Sequence, residues 1–451
     1  MQYDLVLKNG ILVTPSASFR GDLAISEGKI AALSQEPLKA ETSIDLKGQI
    51  VLPGVVDLHV HFSEPGRDYW EGWANGSRAA AFGGVTTVVE MPLNAIPATT
   101  NVAALKQKVS LAEEKSLVDF ALWGGFVDNN LSELESLAKE GIMGFKAFMV
   151  DTRDTSFQFV EEDLLFEGMK EIARLGQFLA VHAEDNAMVW EKTQQLQKAG
   201  RKDRKAWLEA RQPEMELKAI QKALRLAKET KCPLHIVHLS IPEAIDAIQA
   251  ARAEGVKVSF ETCPHYLCLT DQDFIDIGPE AKCAPPLRDK LRQDMLWQRV
   301  LAAQFDCISS DHSPCTFEEK SCGEQDIWAA WGGITGIQTL LPVMFSEAVI
   351  KRNMPLQQLA YLLSERPAQI AKLWPRKGRI GVGADADLVI VDPAVDWQVH
   401  QTWLKSKHPH SPFVTWQLKG KISQVFTAGN LLIDRDELVM QRRGQWLKGE
   451  S

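Results

Sequence analysis

The sequence predicts an α/β fold, a (β/α)8 TIM barrel joined to a small β-sandwich domain built from both chain ends. Three observations lead there. Between residues 51 and about 374, buried aliphatic strand candidates alternate with helical stretches, the pattern of a parallel sheet with helical crossovers. Eight such strands occur, the number that closes a barrel. Both ends of the chain are β-rich in another style, with short alternating strands and Asn/Gly turns. The 451 residues are 45% hydrophobic and 24% charged, so a sizeable core needs no disulfide or structural metal.

Taken in order, residues 3–8 alternate apolar and polar, and Asn9-Gly10 is a hairpin signal. Residues 21–33 hold a second strand pair turned at Glu27-Gly28, and 43–46 add a short strand. The barrel strands are expected at 51–59, 86–91, 118–126, 143–149, 178–183, 234–239, 257–261 and 307–311. Helices are expected at 101–115, 132–139, 162–175, 213–230 and 242–253. Strands return at 386–391 and 422–433, the latter turned at Gly429-Asn430. The expected division is therefore 1–51 plus 375–451 as the sandwich and 52–374 as the barrel. A doubly wound open sheet is the alternative, but no Gly-x-Gly-x-x-Gly follows a strand.

Lys and Arg number 50 against 59 Asp and Glu, a net charge of −9 with no basic block. Nothing here attracts nucleic acid or an anionic membrane. The seven cysteines are odd in number, lie in the second half and form no Cys-x-x-Cys pair, which excludes a secreted disulfide framework. No apolar run approaches the ~20 residues that span a bilayer. The first ten residues lack a basic stretch followed by an apolar one, so no signal peptide is expected and the protein is expected in a reduced cytoplasm.

A barrel carries its active site at the C-terminal ends of its strands. Strand one ends in His59-Val60-His61, whose i, i+2 spacing puts both imidazoles on one side. Strand four carries Lys146, strand five His182, strand six His238 and strand eight Asp311. Imidazoles and a carboxylate are ligands for a zinc-like divalent metal. A single strand histidine is more often a satisfied core residue; convergence from five strands is harder to explain by packing. Lys146 stands in an apolar run, and a buried ammonium is costly unless paired or neutralised. Carbon dioxide would convert it to a carbamate able to bridge two metals; an ordinary salt-bridged lysine is the alternative. Cys263, Cys268 and Cys315 lie near the rim, but no nucleophilic pairing is evident.

These residues, with Leu52-Pro53-Gly54-Val55-Val56-Asp57-Leu58-His59-Val60-His61 and the return Gly378-Arg379-Ile380-Gly381-Val382-Gly383-Ala384-Asp385-Ala386-Asp387-Leu388, resemble the cyclic amidohydrolases of the amidohydrolase superfamily. That group contains dihydroorotases, hydantoinases and allantoinases. The resemblance implies that His59 and His61 bind one metal, and His182 and His238 a second. It implies that Lys146 is N6-carboxylated and bridges them, and that Asp311 completes the first shell and acts as the catalytic base. The implied cofactors are two divalent ions, zinc with cobalt, iron or manganese as alternatives, and carbon dioxide for the lysine. A hydroxide between the metals would attack the amide carbonyl while Asp311 passes its proton to the leaving ring nitrogen. The resemblance also implies a homotetramer.

Dihydroorotases read His-x-His-Leu-Arg-x-Pro-Gly where this chain reads His61-Phe62-Ser63-Glu64-Pro65-Gly66-Arg67. Serine thus replaces the arginine that grips a substrate carboxylate. Glu90-Met91-Pro92-Leu93-Asn94 has leucine where they carry asparagine, and Arg67 could compensate only by reaching in along its loop. The tyrosine that hydantoinases and dihydropyrimidinases place after the bridging lysine is absent from Ala147-Phe148-Met149-Val150-Asp151. The remaining segments, Cys263-Pro264-His265-Tyr266, Lys282-Cys283-Ala284-Pro285-Pro286-Leu287-Arg288, Asp311-His312-Ser313-Pro314-Cys315 and Trp331-Gly332-Gly333-Ile334, resemble allantoinases. The implied substrate is allantoin, opened to allantoate, with contacts from Ser63, Asn94, Ser313 and backbone near Cys283 and Gly332. Hydantoinase or dihydropyrimidinase is the alternative enzyme, dihydroorotase a lesser one. A non-catalytic assembly protein on this scaffold would show a broken ligand set. His265 touches substrate or buttresses a loop, His312 orients its neighbours, and Glu184 and Asp185 support His182 or cap a helix. Trp70, Trp73, Trp328 and Trp331 wall the cavity or pack helices. His400, His408 and His410 are expected at the surface.

Overall fold

A computed structural model describes residues 3–449. The N-terminal stretch forms β1 (Tyr3–Val13), β2 (Ser18–Ser26), β3 (Lys29–Ser34), β4 (Ala40–Asp45) and β5 (Ile50–Pro53). Then β6 (Val55–Val60), β7 (Val85–Glu90) and β8 (Asp119–Leu122) pair in parallel, and β9 (Gly124–Gly125) prolongs β8. In order follow β10 (Phe145–Phe148), β11 (Leu179–His182), β12 (Leu234–Ile236), β13 (Val258–Thr262) and β14 (Cys307–Ile308), again all parallel. A parallel bridge between Val60 and His312, with His61 N donating to His312 O at 2.8 Å, links the far end back to β6. The neighbours thus follow chain order around a ring, as a barrel requires.

The expected helices appear with local reasons for their bounds. Val102–Lys115 starts at Asn101, whose side chain accepts from Ala104 N at 2.9 Å. Glu162–Arg174 buries Leu165, Met169 and Ile172, one stripe at helical spacing. Pro213–Thr230 opens on a proline at its first turn, where the missing N–H is no loss. Among the described residues no helix is long and apolar enough to cross a membrane.

Two sequence expectations are corrected. The first strand, expected at 51–59, is two strands divided at Gly54. Ile50–Pro53 pairs with β1 and with β15 (Leu388–Gln398), so the end sheet runs past the expected boundary at 51. A Cβ on Gly54 would sit 2.1 Å from Thr86 Oγ1, so only glycine allows this close passage between β6 and β7. The strands expected at 234–239 and 307–311 end early, at Ile236 and Ile308. Beyond them His238 and Asp311 take positive φ of 39° and 47°, a conformation that breaks the ladder and costs a non-glycine residue about 1–3 kcal/mol.

The ends form one nine-stranded mixed sheet rather than two separately bonded layers, with β16 (Gln417–Thr427), β17 (Asn430–Asp434) and β18 (Glu437–Leu438) completing it. β1 makes this possible. Its first half pairs with β4, its second half with β5, and a bulge falls between Leu7 and Gly10. Leu7, Leu23, Ile25, Val51, Leu388 and Phe426 are buried together as its core. The last described residues, expected in the sandwich, instead return to the barrel. Phe120 N donates to Gln445 O (3.0 Å), Leu447 N to Phe120 O (2.7 Å) and Gly449 N to Gly141 O (3.0 Å).

Sheet and barrel are locked by Lys377, 1% exposed, whose Nζ meets Asp119 (2.5 Å), Asp387 (2.7 Å) and Asp385 (3.0 Å). Burial would raise the Asp385 carboxyl, but Lys377 and Arg376 hold it down at about 2. Its folded value lies below the ordinary 3.8, so this stabilisation is full above that value and is lost as pH falls toward 2. Lys377→Met should cost about 3–5 kcal/mol, because three buried carboxylates lose the cation they share. Arg442 still pairs with Asp119 and Arg376 with Asp385, but among the described residues Asp387 has no other cation. Urea unfolding at neutral pH reads the loss, and acid unfolding of the variant should begin at higher pH. An unchanged midpoint would remove Lys377 from the balance.

Candidate active site

The C-terminal end of the strand ring gathers His59, His61, Lys146, His182, His238 and Asp311. Asp57 Oδ1 accepts from His59 N (3.2 Å) and Ser310 N (3.0 Å), which ties β6 to the segment after β14. His59 Nε2 and His61 Nε2 both face Asp311 Oδ1, at 3.3 and 3.5 Å. Ligand atoms of these three lie within 4.8 Å of one another. Ring centroids run from His61 to His59 (5.3 Å), His59 to His238 (5.4 Å) and His238 to His182 (4.5 Å). Lys146 is buried, with Nζ 4.9 Å from the Phe148 ring centroid.

Burial dominates the titration here. It lowers His61 to about 4 and also lowers His182 and His238, so the imidazoles are neutral and able to act as ligands. It lowers Lys146 to about 7, against the pull of Glu261 and Asp311. Burial would raise Asp311, but His59 and His61 hold it below its usual range, so it is a carboxylate. Lys146 Nζ, His61 Nδ1 and His238 Nδ1 have no hydrogen-bond partner among the described residues. Buried polar atoms normally have partners. Unpaired nitrogen donors beside a carboxylate fit the donor set of divalent metals.

Two supporting carboxylates come from elsewhere. Glu261, at the end of β13, accepts from His59 Nδ1 at 2.6 Å and from Ser309 Oγ at 2.6 Å. By sequence alone Glu261 is only a strand residue. Glu184 accepts from His182 Nε2 at 2.7 Å and pairs with Arg211. Burial opposes its ionisation, but Arg211 and His182 hold it at about 2. These contacts fix which imidazole nitrogen stays free for the site. Asp185 instead caps the helix Asn186–Lys198 through Met188 N.

A cavity of about 530 Å³ opens above this floor. Asn94, Ser313 and Gly332 lie on its wall, with Trp70, Trp328 and Trp331. Ser63 and Cys283 do not line it. Ser63 is fully buried with a positive φ of 61°, and the Cys283 carbonyl accepts from Trp207 Nε1 at 2.9 Å. Trp73 packs on Phe62 in the core. His265 is buried, presenting a ring nitrogen to Asp311 beside Cys263. Burial raises Cys283 and Cys315 to about 12, so neither supplies a thiolate. His410, expected at the surface, is 3% exposed and bonds Cys315 O at 2.9 Å.

Arg67, Trp207, Arg211 and Lys282 also line the cavity. Arg67 is already engaged: Nη1 meets Asp154 Oδ2 at 2.5 Å and Asn94 O at 3.3 Å, and its guanidinium lies over Trp70. Arg211 and Lys282 both stack on Trp207, at 4.6 and 4.0 Å from its ring centroid. They come from segments without a strand-end motif, so only the tertiary fold brings them in.

The model of the Amidohydrolase family matches residues 50–432. An allantoinase of Rubrobacter xylanophilus is 40% identical over 449 residues, 99% of this chain and 98% of that protein. An allantoinase of Escherichia coli K12 is 38% identical over 441 residues, 97% and 96% of the two chains. Among solved structures, the L-hydantoinase (dihydropyrimidinase) of Arthrobacter aurescens superposes with a TM-score of 0.96 at 35% identity, covering 99% of this chain and 100% of that one. The dihydropyrimidinase of Brevibacillus agri superposes with a TM-score of 0.91 at 28% identity, covering 98% of each.

Proposed function

The chain belongs to the amidohydrolase family, and from that premise we propose that it is an allantoinase, hydrolysing the hydantoin-ring amide of allantoin to allantoate. The reading rests above all on the floor of four imidazoles, one carboxylate and one unpaired amine beneath a single cavity. Full-length similarity to curated allantoinases supports the substrate. The engagement of Arg67 with Asp154 adds to it, since no free arginine of the 61–72 loop is left to clamp an acidic ring.

His59, His61 and Asp311 would hold one divalent ion, zinc being our first choice, and His182 and His238 a second. Lys146, as its N6-carboxy derivative, would lie between them. An amine lowered to about 7 is substantially unprotonated near neutrality, the form that adds carbon dioxide. Two bound divalent ions supply Lewis acidity, polarising the amide carbonyl and lowering the pKa of water. Asp311 has the protein's part in the chemistry. Its side chain is 13% exposed, toward the cavity, and Oδ1 faces the imidazoles. The carboxylate takes a proton from the attacking water and returns it to the ring nitrogen as the C–N bond breaks. Asn94, Ser313 and Gly332 offer polar groups for a neutral ureide.

We read 54–374 as a (β/α)8 barrel, the mixed sheet built from both chain ends as its companion domain, and the active species as a cytoplasmic homotetramer. The metal-loaded protein, supplied with bicarbonate, should be compared on allantoin, hydantoin, dihydrouracil and dihydroorotate. Allantoin should give the highest kcat/KM; preference for any other would reject the assignment. Hydantoin is the rival to watch, given the similarity to the Arthrobacter aurescens hydantoinase structure.

A further inference from the structure

Between β15 and β16 the chain leaves the end sheet and crosses to the rim of the cavity. Gln338 brackets its start, donating to Trp403 O (2.8 Å) and accepting from Lys405 N (2.7 Å). Lys407 N donates to Glu71 Oε2 at 3.0 Å, and Lys407 Nζ to Asp68 O at 2.7 Å. His408 Nε2 meets Tyr69 O at 2.8 Å, and His410 Nε2 meets Cys315 O at 2.9 Å. Ser411 Oγ donates to Thr335 O at 2.8 Å. Both imidazoles pack on Phe317, with ring centroids 6.1 and 5.1 Å away.

Two of the segments held in this way reach the cavity. The loop 61–72 supplies Arg67 and Trp70, and the turn after Asp311 supplies Ser313. Both carbonyls bonded by the histidines belong to irregular chain, which no strand or helix ladder holds in place. Burial keeps His410 neutral, down at about 4, so its ring has one N–H, and the geometry directs it to Cys315. Loops of this kind lose freedom when substrate binds, and contacts that order them beforehand reduce that cost.

We propose that residues 403–411 are a strap that holds the substrate-facing loops 61–72 and 313–317 in their binding positions, with His410 as the positioning residue that fixes Ser313 through the Cys315 carbonyl. This rests on the reading that the cyclic amide binds in the cavity, but it is not tied to allantoin. The strap does not touch the metal-ligand floor, so its loss weakens binding while leaving the bond-breaking step intact.

The test compares metal-loaded wild type with His410→Leu, which removes the donor, and His410→Gln, whose amide nitrogen can replace Nε2. Kinetics use whichever cyclic amide the wild type hydrolyses best. His410→Leu should raise KM roughly tenfold with kcat within about twofold and metal content unchanged. Backbone hydrogen exchange should quicken in peptides covering 312–320. His410→Gln should behave as wild type. A Leu variant with wild-type KM and exchange overturns the proposal, and so does equal damage in Leu and Gln, which would make ring packing the cause. If no ring is hydrolysed, the substrate reading fails by itself and exchange decides the strap. Should His410→Leu fail to fold, His408→Leu carries the same test, with exchange expected to quicken in 61–72 and no change there counting against the strap.

Discussion

Lys146→Ala should retain no more than one divalent ion per chain and lose at least about a thousandfold in kcat/KM, roughly 4 kcal/mol of transition-state stabilisation. The reason lies in what surrounds the amine. Lys146 is fully buried and has no hydrogen-bond partner among the described residues; the anions that act on it are Glu261 and Asp311. If it were a structural cation, its removal would mainly cost stability. If it becomes an anionic bridge, its removal leaves four imidazoles and a single carboxylate to face two dications. Elemental analysis of the purified variant, with activity after zinc and bicarbonate are added back, separates the two. A variant that holds two ions and turns over would end the carbamate assignment.

Asp311→Asn is expected to lower kcat by about 10²–10⁴ with KM little changed. The amide keeps the size of the side chain and can still face His59 and His61, yet it accepts no proton. In the wild type the neighbouring imidazoles keep Asp311 ionised below the usual carboxylate range. The acid limb of kcat that reflects its protonation should vanish in the variant. Steady-state kinetics across pH provide the measurement. A kcat within tenfold of wild type would take Asp311 out of the proton's path.

Much of the site was legible because it is local in sequence. His59-Val60-His61, His182 and His238 stand at or just past the ends of apolar strands and Lys146 lies within a short one, so a strand count places them on one rim. Glu261 was not legible. It ends its strand as the histidines do, but a lone glutamate says nothing until His59 Nδ1 is seen 2.6 Å away. Arg211 and Lys282 line the cavity and stack on Trp207, a tertiary arrangement with no periodic trace. His410 was misplaced because a histidine past the last barrel strand has no local sign of burial; the crossing of the strap to the rim buries it. The early ends of β12 and β14 were missed for a related reason. Extended-looking sequence continues through Val237 and Ser309, and nothing local announces the positive φ of His238 and Asp311 that ends the ladder. The end sheet was legible as β but not as a single sheet, since the change of partner along β1 depends on a bulge.

That single sheet also bears on how the molecule comes into being. Gln49, at the edge of β5, and Asp392, in β15, are hydrogen-bonded partners 343 residues apart. At about 5–20 residues per second of synthesis, β5 leaves the ribosome tens of seconds before its antiparallel neighbour exists. During that interval β5 presents an open, apolar edge to other nascent chains. The stretch 445–449, bonded to Phe120 and Gly141, is made later still. Biogenesis of this enzyme is thus a race between completing the chain and unwanted pairing of its first strands. Slowed elongation, or a cut that removes the final strands, should show first as insoluble protein and only afterwards as lost activity.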